Sequence, residues 1–488
     1  MDVFVGSTNA APAVGDVFRN TTTGFVNTSA ATGLADPGFH QNVAWADIDQ
    51  DRDLDLLIAM EGPTEKHEIY IQGASGTFSP VGAAAGFQVA VGIKAYGMAV
   101  GDTDGDGDLE VFISTCRVDN NIRNNFFRNN LAETGSLTFT DIADTNGTQN
   151  FRNTYNAEFH DFDNDGRLDL FVVGADGEAS KIYRNNGSNN FTDVDTITGH
   201  TLISDTGGDL NGGRVIDYDN DGDLDLFFHD HLVEPGVSDS ARKLYRNDGN
   251  WNFTDVTTSV GLSESNQGAY DSTWGDLDRD GDLDLVAPTD NVWNERIFIS
   301  DASTNGNRWL HVALNGPTGN TTGIGAELTA KINAGTPQEV NLRREANTNA
   351  GTFNQSDLPV HFGLGAATVI DELIIRWRDG RIQKLTNVAT NQYLTVNYTA
   401  GVAGDYNQDG VVNAADYTLY RDRVGSGVAL ATDATAGVAG DDYARWLENF
   451  GASAPSESSA VPEPAALVLL ISLGMFAKSA RFTRTRAR

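Results

Sequence analysis

The sequence predicts a mainly β protein. It reads as a β-propeller array of about six blade-sized units, then a small all-β domain, a small helical module and an apolar C-terminal helix. Three observations predict this. An acidic stretch of fixed design occurs five times at near-constant spacing. A second motif, aromatic and turn-rich, recurs between its copies. Both end near residue 306, where a different strand pattern takes over.

The acidic stretch is clearest at Asp217-Tyr-Asp219-Asn-Asp221-Gly222-Asp223-Leu-Asp225, followed by Leu-Phe-Phe. Acids at relative positions 1, 3, 5 and 9 can converge on one hard cation, and position 7 can add its backbone carbonyl. The apolar run that follows is a buried strand. The other copies are Asp47, Asp49, Asp51, Asp53 and Asp55; Asp102, Asp104, Asp106, Asp108 and Glu110; Asp161, Asp163, Asp165, Arg167 and Asp169; and Asp276, Asp278, Asp280, Asp282 and Asp284. Their first acids lie 55, 59, 56 and 59 residues apart. A period of that size signals a repeat architecture. One such loop could be a solvated turn; five, each feeding an apolar strand, point to structural calcium.

The copies depart from one another in three places. Arg52 stands where the reading places Gly105, Gly166, Gly222 and Gly281 in the other loops. A non-glycine residue there is strained if the bend needs a positive φ. Glu110 is one methylene longer than Asp. Arg167 at position 7 is harmless if only its carbonyl binds.

The second motif is Lys181-Ile-Tyr-Arg-Asn-Asn-Gly187 with Phe191-Thr-Asp-Val, and Lys243-Leu-Tyr-Arg-Asn-Asp-Gly249 with Phe253-Thr-Asp-Val. Looser copies are Asn125-Phe-Phe-Arg-Asn with Phe139, and Glu68-Ile-Tyr-Ile with Phe78. Two short strands around an Asn/Gly turn bring each repeat to about four strands, one propeller blade. The chain opens mid-pattern: Val3-Phe-Val matches the strand after a loop, Val17-Phe-Arg-Asn20 the Tyr-Arg-Asn element, and Gly24-Phe-Val-Asn the Phe-Thr-Asp strand. The expectation is that an upstream piece, with a signal peptide and the rest of the first loop, precedes this reading frame.

From residue 307 to about 400 the acidic loops stop. Arg308–Leu314, Gly323–Ile332, Val360–Gly365, Ile370–Trp377 and Tyr393–Tyr398 read as strands of an all-β domain. Residues 401–452 hold a loop with oxygen donors at Asp405, Asn407, Asp409, Asn413 and Asp416. Val411 offers a carbonyl and Gly410 sits at position 6, followed by a helix; this is EF-hand spacing. A second copy ending near Asp442 has lost most donors. After a linker at 453–460, the segment 461–488 runs Val-Pro-Glu-Pro, thirteen apolar or small residues from Ala465 to Ala477, then a basic end. Thirteen is short for a span, and the basic end favours the cytoplasmic side.

Composition excludes some functions. A formal charge of −35 and pI near 4.3 argue against nucleic acid as a partner. Twenty-four of the 68 acids lie in the five loops, where calcium accounts for them economically. The lone Cys116 permits no intrachain disulfide and reads as a small buried residue. No G-x-S-x-G, H-E-x-x-H or Walker motif is present. His229 and His231 share one face of an extended chain and could ligate zinc, but no third ligand accompanies them, and a structural role is the simpler reading.

The loop pattern resembles the FG-GAP/VCBS repeats of integrin-α-like propellers, whose blades carry calcium in such loops. That resemblance implies a seven-bladed type of propeller, N-terminally truncated here to about six blades. The segments N-x-W-L-x-V-x-L, G-I-G-A, H-F-G-L-G and I-x-R-W-x-D-G resemble the ASPIC/UnbV domain of cartilage acidic protein and bacterial exported proteins; the Arg343-Arg344-Glu345 to Gln355 stretch departs from the glycine-rich form expected there. Residues 401–452 resemble a type I dockerin, for which a cohesin partner is not favoured because the second repeat has lost its donors. The tail resembles a PEP-CTERM sorting signal, which implies an exosortase-type machinery, transient membrane contact and a surface or matrix destination. The resulting expectation is a non-catalytic, calcium-stabilised surface protein binding a glycan or extracellular protein. The alternative is a polysaccharide-active enzyme, because some lyases use similar propellers.

Overall fold

The computed structural model describes residues 3–5, 14–34, 36–37, 39–61, 66–88, 94–116, 123–149, 153–174, 178–199, 210–230, 242–263, 272–287, 296–347, 358–407, 411–424, 438, 440–453 and 485–486. Alternation and β-branched residues produce what they predict, a mainly β molecule. Among the described residues the acidic repeats form successive antiparallel sheets. One unit is Thr154–His160, Asp169–Gly174, Lys181–Asn185 and Phe191–Asp193; the next is Leu210–Ile216, Asp225–Asp230, Arg242–Asn247 and Phe253–Asp255. Phe39–Ala46, Asp55–Glu61, Glu68–Gln72 and Phe78–Pro80 form a third. This joins Lys94–Gly101, Glu110–Cys116, Asn125–Asn129 and Phe139–Asp141 through a bridge between Glu61 and Lys94, so two units share one eight-stranded sheet. Thr273–Gly275, Asp284–Ala287 and Arg296–Ile299 make the last unit, with Thr485–Arg486 parallel at its edge.

Val3–Val5, Val14–Thr21 and Gly24–Asn27 pair antiparallel in order, as the second, third and fourth strands of the other units do. The match of the opening residues to the repeat therefore holds at the level of pairing. The array is propeller-like. Each acidic loop joins the first strand of a unit to the second, so the loops fall at equivalent places in successive units.

The strand after each loop is the buried one. Leu56 to Ala59, Val111 to Ile113, Leu170 to Val173 and Leu226 to Phe228 are all within 1 % of full burial. Burying one such side chain contributes about 1.5–3 kcal/mol. The Asn of the Arg-Asn motif fastens neighbouring units. Asn185 Nδ2 donates to Leu168 O of its own loop at 3.0 Å and to Thr103 O of the preceding loop at 2.7 Å. Asn129 Nδ2 reaches Ile48 O in the same way, at 3.2 Å.

The second domain packs a three-stranded sheet (Val360–Gly365, Arg308–Asn315, Gln392–Asn397) on a four-stranded one (Val340–Glu345, Glu327–Ile332, Val369–Arg376, Ile382–Ala389). Leu310, Val312, Leu328, Phe362, Leu373 and Ile375 fill the space between. Two strands, 340–345 and 382–389, go beyond the sequence reading. The strand expected from Gly323 begins only at Glu327, because Gly323 and Gly325 take φ +69 and +82 and turn the chain.

Helices Ala414–Arg423 and Gly440–Asn449 pack on each other, with Tyr406, Val438, Leu419, Tyr420 and Trp446 between them. Asn413 caps the first through a capping box with Asp416. The apolar tail, and the loop expected to precede the second helix apart from its final residues, lie outside the described residues. No described helix is long and apolar enough to cross a membrane.

Candidate metal centre

The acidic loops share one hydrogen-bond plan. In every described loop the first acid turns back to accept the backbone N–H of position 6, and in the third, fourth and fifth loops that of position 5 as well. Asp217 Oδ1 accepts from Asp221 N at 3.1 Å and its Oδ2 from Gly222 N at 3.0 Å; Asp161 and Asp276 repeat both bonds. Position 5 caps position 7: Asp51, Asp106, Asp165, Asp221 and Asp280 each accept the N–H two residues on at 2.9–3.0 Å. Position 9 ties the loop to its unit. Asp225 Oδ2 accepts from Tyr218 N at 3.0 Å and Oδ1 from Asn247 N on the next strand at 2.8 Å. Asp55, Asp169 and Asp284 do the same.

Two left-handed residues per loop make this plan possible. At position 4, Gln50, Gly105, Asn164, Asn220 and Arg279 take φ between +55 and +83. At position 6, Arg52, Gly107, Gly166, Gly222 and Gly281 take φ between +80 and +102. The glycine equivalent to Gly222 in the second loop is thus Gly107; Gly105 occupies position 4, which corrects the sequence reading. Arg52 holds the left-handed conformation at φ +80 and still donates to Asp47 Oδ2 at 3.2 Å. A side chain forced there costs about 1–2 kcal/mol.

The plan draws positions 1, 3 and 9 together. One carboxylate oxygen each from Asp47, Asp49 and Asp55, from Asp102, Asp104 and Glu110, from Asp161, Asp163 and Asp169, and from Asp217, Asp219 and Asp225 lie within 4.8 Å of one another. Asp106 and Asp108 converge separately with Glu133, which sequence reasoning did not include. Asp53, Asp223 and Asp282 sit at position 7 as expected from the repeat. Arg167 turns its guanidinium onto Asp165 and the Asn185 carbonyl, leaving its own carbonyl as the only donor to consider. Arg184 of the Tyr-Arg-Asn motif pairs with Asp163 at 2.6 Å and Asp165 at 2.8 Å. Glu110 differs from its counterparts: Oε2 accepts from Thr103 N, but Oε1 has no hydrogen-bond partner where Asp55, Asp169, Asp225 and Asp284 use their second oxygen on the next strand.

A hard dication fits these residues. Asp47 Oδ1, Asp163 Oδ1, Asp219 Oδ1, Asp108 Oδ1 and Glu110 Oε1 are buried acceptors without a hydrogen-bond partner. Stranding such an oxygen is costly, and a cation bound there would satisfy it. Burial pushes Asp55 and Asp217 up to about 8, and Asp47, Asp161 and Asp219 to about 6. Burial also raises Glu110, Asp169 and Asp225 well above the ordinary carboxylate range. Acids this strained by desolvation and mutual repulsion release that strain when a cation is bound.

The second domain sits directly on the loops. Arg344 is buried; its Nη2 donates to Gly222 O at 3.0 Å, and burial lowers its pKa while Asp217 and Asp161 oppose that. Arg343 Nη1 donates to Gly166 O at 2.7 Å. Gly365 N donates to Asn220 O at 2.9 Å, and His361 Nε2 meets Asn220 Oδ1 at 2.8 Å. Tyr393 OH donates to Asp276 Oδ2 at 2.6 Å, with His311 Nε2 3.7 Å from the same oxygen. Burial pushes His311 down to about 4, so it stands there as a neutral ring and does not oppose a cation. The arginine-rich departure noted in the sequence is therefore the strand that touches the loops. Its role was invisible without the fold, because the partners are more than a hundred residues away.

The remaining candidates fall elsewhere. His229 is buried against Gly212, in the interior; His231 lies outside the described residues. Cys116 is half-buried at the end of its strand. In the helical module, Asp416 accepts from Asn407 N at 2.9 Å and Asn413 N at 2.7 Å, and Asp405 is buried. Val411 bridges Ser453, and Asp409 lies outside the described residues.

Fold and site together define a class: a repeat scaffold of acidic-loop β units, capped on its loops by a second β domain. The comparisons name the parts. Residues 161–228 and 233–287 match the FG-GAP-like repeat, and residues 316–403 match the ASPIC and UnbV domain. No curated protein matches the chain. Among solved structures, the V. cholerae biofilm matrix protein Bap1 is 12 % identical, with 80 % of this chain and 72 % of that one covered and a TM-score of 0.30. The Pseudomonas aeruginosa periplasmic gluconolactonase is 13 % identical, with coverage of 62 % and 79 % and a TM-score of 0.38. Overlaps this loose assign no activity.

Proposed function

We propose that this chain is an exported surface or matrix protein, stabilised by calcium, that binds a glycan or an extracellular protein and catalyses no reaction. One observation carries the reading: the same three carboxylates are gathered in loop after loop, with buried oxygens left for a cation. Oxygen-only donor sets suit calcium, and calcium is abundant outside cells. The tail serves as a sorting signal: residues 465–477 pause at the membrane, an exosortase-type enzyme cuts near Pro462-Glu463-Pro464, and the product passes to the surface. The helical module is dockerin-like with one calcium site at Asp405–Asp416, and a cohesin partner is not favoured.

Melting the full chain with EDTA and with millimolar calcium tests the core of this. Each site filled at fifty times its Kd adds about 2 kcal/mol, so the melting temperature should fall sharply in EDTA and recover with calcium. An unchanged melt overturns the structural role. A glycan array on the calcium-loaded protein then seeks the ligand.

A second reading, polysaccharide cleavage, has one observation in its favour. A cavity of about 140 Å³ between the domains is lined by Glu158, His160, Arg214 and Glu345. Arg214 Nη1 lies 3.2 Å from Glu158 Oε1, and His160 Nε2 is 3.0 Å from Oε2. Burial pushes Glu345 up to about 8, so it keeps its proton at neutral pH. Two carboxyls in one cavity, one of them holding its proton, can serve as base and acid. Turnover on a polysaccharide panel, abolished in both Glu158→Gln and Glu345→Gln, would establish this reading in place of the first.

A further inference from the structure

A second, larger cavity of about 630 Å³ opens where the first three acidic loops meet the second domain. Four guanidinium groups line it: Arg52 from the first loop, and Arg343, Arg376 and Arg378 from the second domain. Their hydrogen-bonding capacity is not used up. Arg378 Nε and Nη2 are buried without a partner, and so is Arg343 Nε. Arg52 Nε reaches only Asp379, at 4.0 Å. Arg343 Nη2 is 3.3 Å from Glu327 and its Nη1 is engaged on the Gly166 carbonyl. Arg378 is held in place by Gly325, whose missing side chain leaves room for its Cγ and Cδ. Buried guanidinium N–H groups without acceptors are costly, and a planar or tetrahedral oxyanion satisfies them in pairs.

Four acids also line the cavity: Asp102, Asp106, Glu327 and Asp379. Without a metal the wall is balanced, four charges against four. Asp102 belongs to the convergent set of the second loop, and Asp106 to the neighbouring set with Asp108 and Glu133. A cation on the Asp102 set offsets that acid and lies beside Asp106, which shifts the wall's balance toward the arginines. The cavity's preference for anions is therefore tied to the loop beside it.

We infer that this cavity is an oxyanion site for the carboxylate or sulfate groups of an acidic saccharide, and that it takes them only when the second loop holds its cation. This rests on the glycan-binding reading above and narrows it to a ligand class and a place. Arg378 grips the anion through its Nε and Nη2 groups, Arg343 adds its Nε, and Arg52 and Arg376 add field from the rim.

Calorimetric titration of the full chain with trigalacturonate, in calcium and after its removal, tests the inference. The carboxyl-reduced trisaccharide serves as the neutral control. Calcium-loaded protein should bind the uronate at least tenfold more tightly than the reduced sugar, and calcium removal should abolish the difference. Arg378→Gln should weaken uronate binding about tenfold or more, the loss of one charge-assisted pair. Arg378→Lys should restore part of it, because charge returns without the fork. Calcium-dependent melting of each variant verifies that it folds. Should Arg378→Gln not fold, Arg376→Gln at the exposed rim provides a second variant, expected to weaken uronate binding by severalfold. Uronate affinity unchanged in folded Arg378→Gln, or unchanged in Arg376→Gln where only that variant folds, overturns the site. Equal binding of the reduced sugar also overturns it, yet leaves the scaffold reading standing. Loss of the calcium-dependent melt would sink the scaffold reading by itself.

Discussion

The first and fourth acidic loops are the same device in different surroundings. Asp47–Asp55 and Asp217–Asp225 have the same spacing, the same back-bonded first acid and the same convergent trio. The fourth has Gly222 at its bend and a buried Arg344 on its Gly222 carbonyl. The first has Arg52 at the bend, largely exposed, at φ +80. The comparison teaches that the backbone plan is set by the acids and their N–H partners. Glycine only makes it cheaper, and the second domain adds a buried guanidinium to the fourth loop.

The largest way to break the comparison is to remove the guanidinium that caps the fourth loop and also faces Asp161 of the third. Arg344→Met leaves Asp217, Asp161 and their neighbours without the guanidinium that faces them. Stripping one side of a buried charged group typically costs about 3–5 kcal/mol. Urea denaturation of the metal-free protein should show that loss, with much of it recovered in calcium. Equal losses with and without calcium would mean that Arg344 only fills space.

Next comes the bend itself. A methyl on Gly281 would lie 1.8 Å from Trp309 of the second domain, whereas one on Gly166 meets nothing within 4 Å. Both glycines are left-handed. Gly166→Ala should cost about 1–2 kcal/mol from backbone strain, and Gly281→Ala about 3 kcal/mol or more, since overpacking adds to it. Similar losses in chemical denaturation would show that Trp309 moves aside freely.

In the opposite direction, Arg52→Gly relieves the left-handed strain of the first loop and should stabilise the protein by about 1 kcal/mol, visible as a rise in melting temperature. A fall would mean that the weak pairing of Arg52 with Asp379 outweighs the strain.

A different handle is pH, through Glu345, whose carboxyl burial pushes up to about 8 from an ordinary 4.5. The folded protein therefore holds a proton that the unfolded chain releases. Stability falls as pH rises from about 4.5 to about 8 and is then level, since the folded form binds more protons in that window. Glu345→Gln should flatten this part of the profile and be the more stable form near pH 8. Parallel profiles for the two proteins would refute the assignment.

The five loops were legible because their information is local. Metal-type carboxylates, left-handed residues and the following strand all lie within a dozen positions, so one period exposes the whole device. The assignment of Gly105 to the bend was a slip of register: loop two carries glycine at both left-handed positions, and counting from Asp102 already makes Gly107 the sixth residue, in line with its φ of +97. Strands 340–345 and 382–389 were less legible, since their polar residues make hydrogen-bonded edges and lack a clean apolar alternation.

By itself, then, the sequence determined the repeat, the loop chemistry and the class of the second domain, because spacing and residue type suffice for contacts between near neighbours. Only the tertiary structure decided that Arg344 lies on the fourth loop, that Tyr393 donates to Asp276, and that Arg343 and Arg378 share a cavity with Asp102. Those contacts join residues separated by more than a hundred positions. Their partners are chosen by how two separately folded β units bury their facing surfaces, a choice made by shape and desolvation that no local pattern records.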